Sequence, residues 1–410
     1  MRILHVNKFL YRRGGAEAYM LDLAARQSAA GHEVAFFATK HPQNQPSKYE
    51  AFFPEYIELN PPPSSWSGRA RAAGRIFYSR AAEEGLARVV DRHRPDIVHV
   101  HNIYHHLSPS VLRPLRDRAI PTVMTLHDFK LACPTHRFMA NGRVCEACVP
   151  RRFYMAAVKR CYEGSLAASS LNGLELAAHT LFRMYDPVDV FVCPSRFMVD
   201  KMTAAHVFPE RLRWLPNFVD ASAIERKGVP GGGAVYAGRL SEEKGVDTLV
   251  RAAAEVKGDI HIVGDGPDRA ALEGLAREMG TDRVVFHGHV PAAEVHRLVR
   301  AAAVGVMPSR GYENAPMGVL ESFACGVPVV GSDHGGLPEL IDPGADGDLV
   351  PPGDATALAS SLNRFIADPK GSFEKGATAR RKVEERFSPA EHLARLDEVY
   401  AEATIAAKGS

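Results

Sequence analysis

Short apolar runs rich in β-branched residues recur along the chain, separated by stretches whose apolar positions repeat every three or four residues. That alternation is the mark of β–α–β units laid into parallel sheets. In the first half it predicts strands at Ile3–Asn7, Val34–Ala38, Ile97–Val100, Thr122–Leu126, Val190–Cys193 and Leu212–Leu215. In the second half it predicts them at Ala234–Ala237, Ile260–Val263, Val284–His287, Val304–Met307, Pro328–Gly331 and Gly347–Val350. A helix from Ala16 to Ala30 fits between the first two strands, closed by Gly31. A second helix, Val246–Val256, puts Val246, Leu249, Val250, Ala253 and Val256 on one face, as a helix packed on a sheet requires. The next helix is expected to open with Pro267 at its first position and to end at Gly280.

Three stretches interrupt the rhythm. Residues 225–233, with few apolar side chains and three consecutive glycines, read as a linker. Residues 40–66 are rich in Pro, Ser and aromatics, and residues 133–162 hold four cysteines; both read as insertions. Two α/β domains follow, at 1–216 and 217–388, with a final helical segment at 389–410.

A length of 410 residues suits two or three domains, and 46% hydrophobic residues can fill sizeable cores. The chain opens directly on a strand, without the apolar region and cleavage site of a signal peptide. No apolar run approaches the roughly 18 residues of a membrane span. The expectation is a cytoplasmic enzyme. The net charge of +2 hides a split: residues 1–220 hold 29 Lys and Arg against 20 Asp and Glu, and the remainder 21 against 28. Solvated surface charge would account for this; so would peripheral contact between the basic half and the inner face of an anionic membrane. No basic–aromatic interleaving or reading module points to nucleic acid.

Candidate chemistry gathers where strands pass into helices. Gly14 and Gly15, at the start of the first helix, let a backbone approach a phosphate or sugar and leave helix N–H groups free; a tight turn would also use them. Gly238-Arg239-Leu240 with Lys244 places two cations on one loop, as a diphosphate would need, although an exposed charged turn can look the same. Glu313 and Glu321 lie eight apart across a loop-to-helix junction, with Ala315, Met317 and Gly318 offering backbone N–H groups between them. Each carboxylate could hold a vicinal diol; the bland reading is a cap and a surface Glu. Gly266, within Gly264-Asp265-Gly266-Pro267, reads as a turn shaping a cleft, and His289 ends another strand, where a flat base could rest. In the first half His127-Asp128 follows a strand, and His101 and Asn102 follow another. Ligands of open α/β sheets bind at such carboxyl ends. A hydrogen-bonding role for His127 and an acceptor-side role for His101, Asn102 and Asp128 are the resulting expectations.

Cys133, Cys145, Cys148 and Cys161 follow the spacing C-x(11)-C-x(2)-C-x(12)-C, whose middle pair is half of a zinc knuckle. The expectation is a structural zinc, set against four reduced, partly buried thiols.

Taken in order, these motifs resemble glycosyltransferase family 4 of the GT-B fold: two Rossmann-like domains with a donor and acceptor cleft between them. The specific part is Gly238-Arg239-Leu240 with Lys244, then Gly264-Asp265-Gly266-Pro267, the Glu313/Glu321 pair and Ala324-Cys325-Gly326-Val327-Pro328-Val329. The resemblance implies a retaining transfer from a UDP- or GDP-linked sugar to a hydroxyl on a small or lipid-linked acceptor, as in polysaccharide biosynthesis, with no catalytic metal. It implies that Arg239 and Lys244 neutralise the diphosphate, that Glu321 holds the ribose and Glu313 the donor sugar, and that Gly15 lies under the phosphates with His127 near the reacting sugar. It also implies that the last helix crosses back to the first domain. Pro316 departs from the family pattern, removing one backbone donor. A phosphorylase or epimerase of related fold, a dinucleotide oxidoreductase and a non-catalytic sugar-nucleotide binder are the competing readings. The oxidoreductase lacks its G-x-G-x-x-G and acidic partner.

Overall fold

The computed structural model describes residues 1–58 and 64–409. Part of the 40–66 insertion therefore lies outside the described residues. The first sheet holds β1 (Arg2–Val6), β2 (Glu33–Phe37), β3 (Ile97–Val100), β4 (Thr122–Thr125), β7 (Val190–Cys193) and β8 (Leu212–Trp214), in the order β2-β1-β3-β4-β7-β8. Between β4 and β7 the chain forms a separate small hairpin of β5 (Met139–Ala140) and β6 (Arg143–Val144). The second sheet holds β9 (Ala234–Ala237), β10 (Ile260–Val263), β11 (Val284–Gly288), β12 (Val304–Met307), β13 (Val329–Ser332) and β14 (Gly347–Val350), in the order β11-β10-β9-β12-β13-β14. Every pairing in both six-stranded sheets is parallel. Helices cover both faces, so strands such as β3, β4, β7 and β12 are buried at every position. Continuous apolar runs, rather than alternating ones, are what such strands need.

Sequence-expected helices shift at their ends. The one expected from Pro267 runs Arg269–Glu278, because Pro267 and Asp268 are used in the turn before it. The one expected over Val246–Val256 ends as a regular helix at Ala252. Residues 225–233 do not swing free. Lys227 donates from its backbone N–H to Cys325 (2.9 Å) and from Nζ to the Ala302 carbonyl (2.7 Å), while Gly232 bonds to Ala301. Gly231 and Gly233 lie so near the backbones of Ala301 and Asp259 that a Cβ on either would collide. Polar composition suggested a linker, but these glycines let the strand's approach pack flat against its neighbours.

The last helix, Pro389–Gly409, lies on the first sheet. Leu396, Val399, Tyr400 and Ala403 share a core with Ile3, Ile97, Val123 and Val190. Further ties join the halves. Arg26 pairs with Asp220, and Glu339 accepts from the backbone N–H groups of Arg196 (2.8 Å) and Phe197 (2.6 Å) at a helix start.

Candidate functional site

The carboxyl ends of both sheets face one cleft, and two helix N-termini meet there. The helix Gly15–Ala29 begins after Gly14 and the helix Met317–Ala324 after Pro316, neither with a side-chain cap. A Cβ built on Gly15 would stand 3.8 Å from the Met317 side chain, so the two starts nearly touch. Among the described residues the N–H groups of Gly15, Ala16, Met317 and Gly318 find no backbone acceptor. Opposed, uncapped helix starts concentrate partial positive charge and free donors in one place.

The loops after β9 and β10 form the floor on the second-domain side. A Cβ on Gly264 (φ +129°) would fall 1.9 Å from the Gly238 carbonyl, and one on Gly266 2.1 Å from the Leu240 carbonyl. Glycine is therefore required at both, and the two loops stack with their backbones in contact. Arg239, projecting from this stack, is exposed and its guanidinium makes no ion pair or hydrogen bond among the described residues. Lys244 instead pairs with Glu313 at 2.7 Å, and Ser309 Oγ donates to the same Glu313 oxygen at 2.6 Å. Glu313 is only 8% exposed. Two residues read separately in the sequence thus form one unit, with Ser309 as a third member that no motif flagged. His289 is exposed near Asp265 at the end of β11.

The Glu321 carboxylate has no hydrogen-bond partner among the described residues. Burial pushes its carboxyl up, Asp22 adds to this, and Arg12 opposes it. Arg12 and Asp22, an ion pair, come from the first domain, so Glu321 marks where the two halves approach. Asn314 clamps them further: its amide donates to the Leu126 carbonyl (3.1 Å) and accepts from Ser195 Oγ (2.6 Å). Asn217 donates to the Ala315 carbonyl at 3.0 Å. The Asn314 clamp escaped the sequence reading because a lone loop Asn carries no periodicity.

On the first-domain side, His127 is half-buried at the end of β4 and hydrogen-bonds through Nε2 to His101 at 3.0 Å. Burial carries its imidazole down to about 3, with Lys8 adding to the effect. His101 is fully buried behind it with both ring nitrogens engaged, so the structure does not bring it to the cleft surface. Asn102 is also buried; its backbone N–H bonds Asn7 and its carbonyl accepts from Lys8. Asp128 accepts from the Tyr104 hydroxyl and the Lys130 backbone N–H, and burial raises its carboxyl.

The four cysteines do gather. Cys133 lies 3.5 Å from the Thr135 hydroxyl, Cys161 Sγ donates to the Ala156 carbonyl at 3.6 Å, and Cys148 packs with Phe153, Ala156 and Leu176. Burial pushes the Cys148 thiol up to about 12, and Cys133, Cys161 and Cys145 all stand close enough to add to it. No three of these sulfurs lie within 4.8 Å of one another; the group that does is His5, His99 and His101.

Comparison with known proteins agrees with this geometry. The sequence model of Glycosyltransferase Family 4 matches residues 13–223, and that of Glycosyl transferases group 1 matches residues 232–368. The chain belongs to Glycosyltransferase Family 4, and its two parallel-sheet domains make the GT-B fold. It is similar to the GDP-mannose-dependent alpha-(1-6)-phosphatidylinositol monomannoside mannosyltransferase of Mycolicibacterium smegmatis, 31% identical over 231 residues. The match covers 50% of this chain and 60% of that one. It is 29% identical over 314 residues to the alpha-maltose-1-phosphate synthase of Mycobacterium tuberculosis, covering 71% and 75%. Among solved structures, the sucrose-phosphate synthase of Thermosynechococcus elongatus superposes with a TM-score of 0.74 at 22% identity, covering 99% of both chains. Anabaena HepE, solved with UDP and glucose, superposes at 0.67 and 19% identity, covering 98% and 99%.

Proposed function

We propose that this cleft transfers a sugar from a nucleoside-diphosphate donor to a hydroxyl acceptor with retention of anomeric configuration. The observation that carries the reading is the meeting of two uncapped helix starts beside Arg239 and Lys244. Free donors from both domains would make this an anion site suited to a diphosphate. Arg239 is free to fork onto phosphate oxygens. Lys244 has three donors, so it can keep Glu313 and still reach a phosphate. Glu313 would then be held by Lys244 and Ser309 for the hydroxyls of the donor sugar, and Glu321 would take the ribose diol.

The reaction balances without a protein nucleophile. The bond from the anomeric carbon to the phosphate oxygen breaks, and the acceptor oxygen bonds the same face of that carbon. The acceptor's proton passes to the departing phosphate oxygen. The protein's part is to hold the partners in place and to stabilise charge on the leaving diphosphate. The expected result of 1H NMR on the product is the donor's own anomeric configuration, and Arg239→Ala should cut turnover by a few orders of magnitude, roughly the 3–4 kcal/mol of one lost transition-state contact. An inverted product removes the retaining mechanism.

Two further assignments belong to the same reading. The four thiols are proposed to hold a structural zinc that draws them together. The acceptor is proposed to be presented at a membrane, since bare apolar side chains lie beside the cations of the first domain. Tyr154, Val158, Leu174, Leu181 and Phe182 are all more than 60% exposed, near Arg151, Arg152, Lys159 and Arg160.

A further inference from the structure

Behind His127 runs a chain of buried polar groups that the transfer reaction does not itself explain. His127 Nε2 meets His101 Nδ1 at 3.0 Å, His101 Nε2 meets His5 Nδ1 at 3.0 Å, and His5 Nε2 meets Gln27 Oε1 at 2.8 Å. Gln27 Nε2 donates to the Tyr400 hydroxyl at 2.9 Å. Tyr400 then meets His99 Nδ1 at 2.8 Å, and His99 Nε2 meets Thr125 Oγ1 at 2.7 Å. Separately, the Tyr19 hydroxyl meets His392 Nε2 at 2.8 Å, and His392 Nδ1 ends on the Pro216 carbonyl at 2.8 Å. His5, His99 and His101 stand close enough together to suggest a metal. All six of their ring nitrogens are already spent in this chain, so they offer no free lone pair to an ion.

A carbonyl can only accept, so the Pro216 carbonyl fixes the bonds of His392, and the Gln27 amide oxygen fixes every bond between it and His127. Burial keeps all five imidazoles neutral, His5 and His392 at about 4 and His99 and His101 well below their ordinary value. A neutral ring has one donor and one acceptor. His392 must therefore carry its proton on Nδ1, and its bare Nε2 accepts from Tyr19. The Gln27 amide gives its Nε2–H to the Tyr400 oxygen, so Gln27 Oε1 faces His5 and takes its Nε2–H. His101 and His127 follow in the same sense.

We propose that this chain, running from Tyr400 of the last helix through Gln27, His5 and His101, locks His127 as the Nε2–H tautomer. Its bare Nδ1 is then a fixed acceptor for a substrate hydroxyl in the cleft. Among the described residues that nitrogen bonds no protein group, and it is not sealed from solvent. Tyr400, Gln27, His5 and His101 are positioning residues; only His127 reaches substrate. The claim about the hydroxyl rests on the proposed function, whereas the tautomer does not.

The test is a two-bond 1H–15N correlation of histidine side chains in the resting full-length protein at neutral pH, for wild type and Tyr400→Phe. Tyr400→Phe keeps the ring that packs against His99 and removes the hydroxyl that takes the Gln27 Nε2–H, so the amide is free to turn over. Wild type should show His127, His101 and His5 as Nε2–H and His392 as Nδ1–H. Tyr400→Phe should show mixed tautomers at His127, and its kcat should fall roughly tenfold, with KM for the donor changing less than about twofold. Nδ1–H or a cation at His127 in wild type overturns the proposal. So does a Tyr400→Phe protein that keeps the pure tautomer, or one with mixed tautomers and undiminished kcat. A wild-type protein with the expected tautomers and no transferase activity would count against the proposed function alone.

Discussion

At Glu321 a carboxyl group stands where its surroundings resist its charge, with burial the largest cause and Asp22 the next. The folded protein therefore holds the Glu321 proton more tightly than the unfolded chain does. By linkage, an ionised Glu321 opposes folding at any pH above the ordinary carboxylate range near ~4.3, and the effect disappears as pH falls below it. Glu321→Gln should then raise the unfolding temperature at pH 8, lose that gain near pH 4, and weaken nucleotide binding. A variant that melts lower than wild type at pH 8 would show that the carboxylate is stabilised instead. Glu321 was legible in the sequence as one of two carboxylates eight apart. Its partners were not, because Arg12 and Asp22 lie some 300 positions away and only the fold unites them. The same holds for Glu313: spacing found the residue, but only the folded loops show that it is tied to Lys244 and Ser309. His101 misled for a related reason. A histidine after a strand reads as cleft-facing, whereas its side chain turns into the sheet to join other imidazoles.

Strands were the most legible elements, because a strand covered on both faces needs an unbroken apolar run. Helix ends were less so, since Pro267 can start a helix or make the turn before it, and the contact with the Gly238 loop decides for the turn. Spacing could not settle whether residues 133–162 would fold around their thiols. The hairpin of β5 and β6 answers part of that question: pairing of Met139 with Val144 brings Cys145 back to the Phe138 carbonyl at 2.7 Å. Cys148 and Cys161 then both sit against Ala156. No three of the sulfurs lie within 4.8 Å of one another, whereas the edge of a zinc–thiolate tetrahedron is about 3.8 Å for bonds near 2.3 Å, so a metal would have to tighten the insertion. Elemental analysis of protein purified without chelator should find one zinc per chain, and stripping it should lower stability. Less than a tenth of an equivalent, with all four thiols titrating in the native state, removes the metal.

For the molecule as a whole, the charge split between the halves was visible at once, while the apolar patch beside it was not. Leu174 and Leu181 lie seven apart on one helix face, Tyr154 and Val158 four apart on a shorter one, and in a sequence both pairs look like core. Their exposure beside Arg151, Arg152, Lys159 and Arg160 supports the membrane reading. Vesicles with anionic lipid should carry the protein down on sedimentation at low salt, and Leu174→Ser with Leu181→Ser should release it. Equal binding to neutral vesicles would contradict an electrostatic contact. The two-domain fold followed from the alternation of elements; the sequence pointed to each helix start separately, and only the fold shows Gly15 of one domain meeting Met317 of the other at the proposed anion site. That site is the centre of the account, and the most direct measurement on it is thermal unfolding with UDP, GDP and their sugars. A bound ligand raises stability by mass action, about 2.7 kcal/mol at a hundred times its dissociation constant. The account predicts that one nucleotide series protects the wild type and fails to protect the Arg239→Ala/Lys244→Ala double variant, whose far-UV CD is unchanged. Protection by neither series, or equal protection of the double variant, would contradict it.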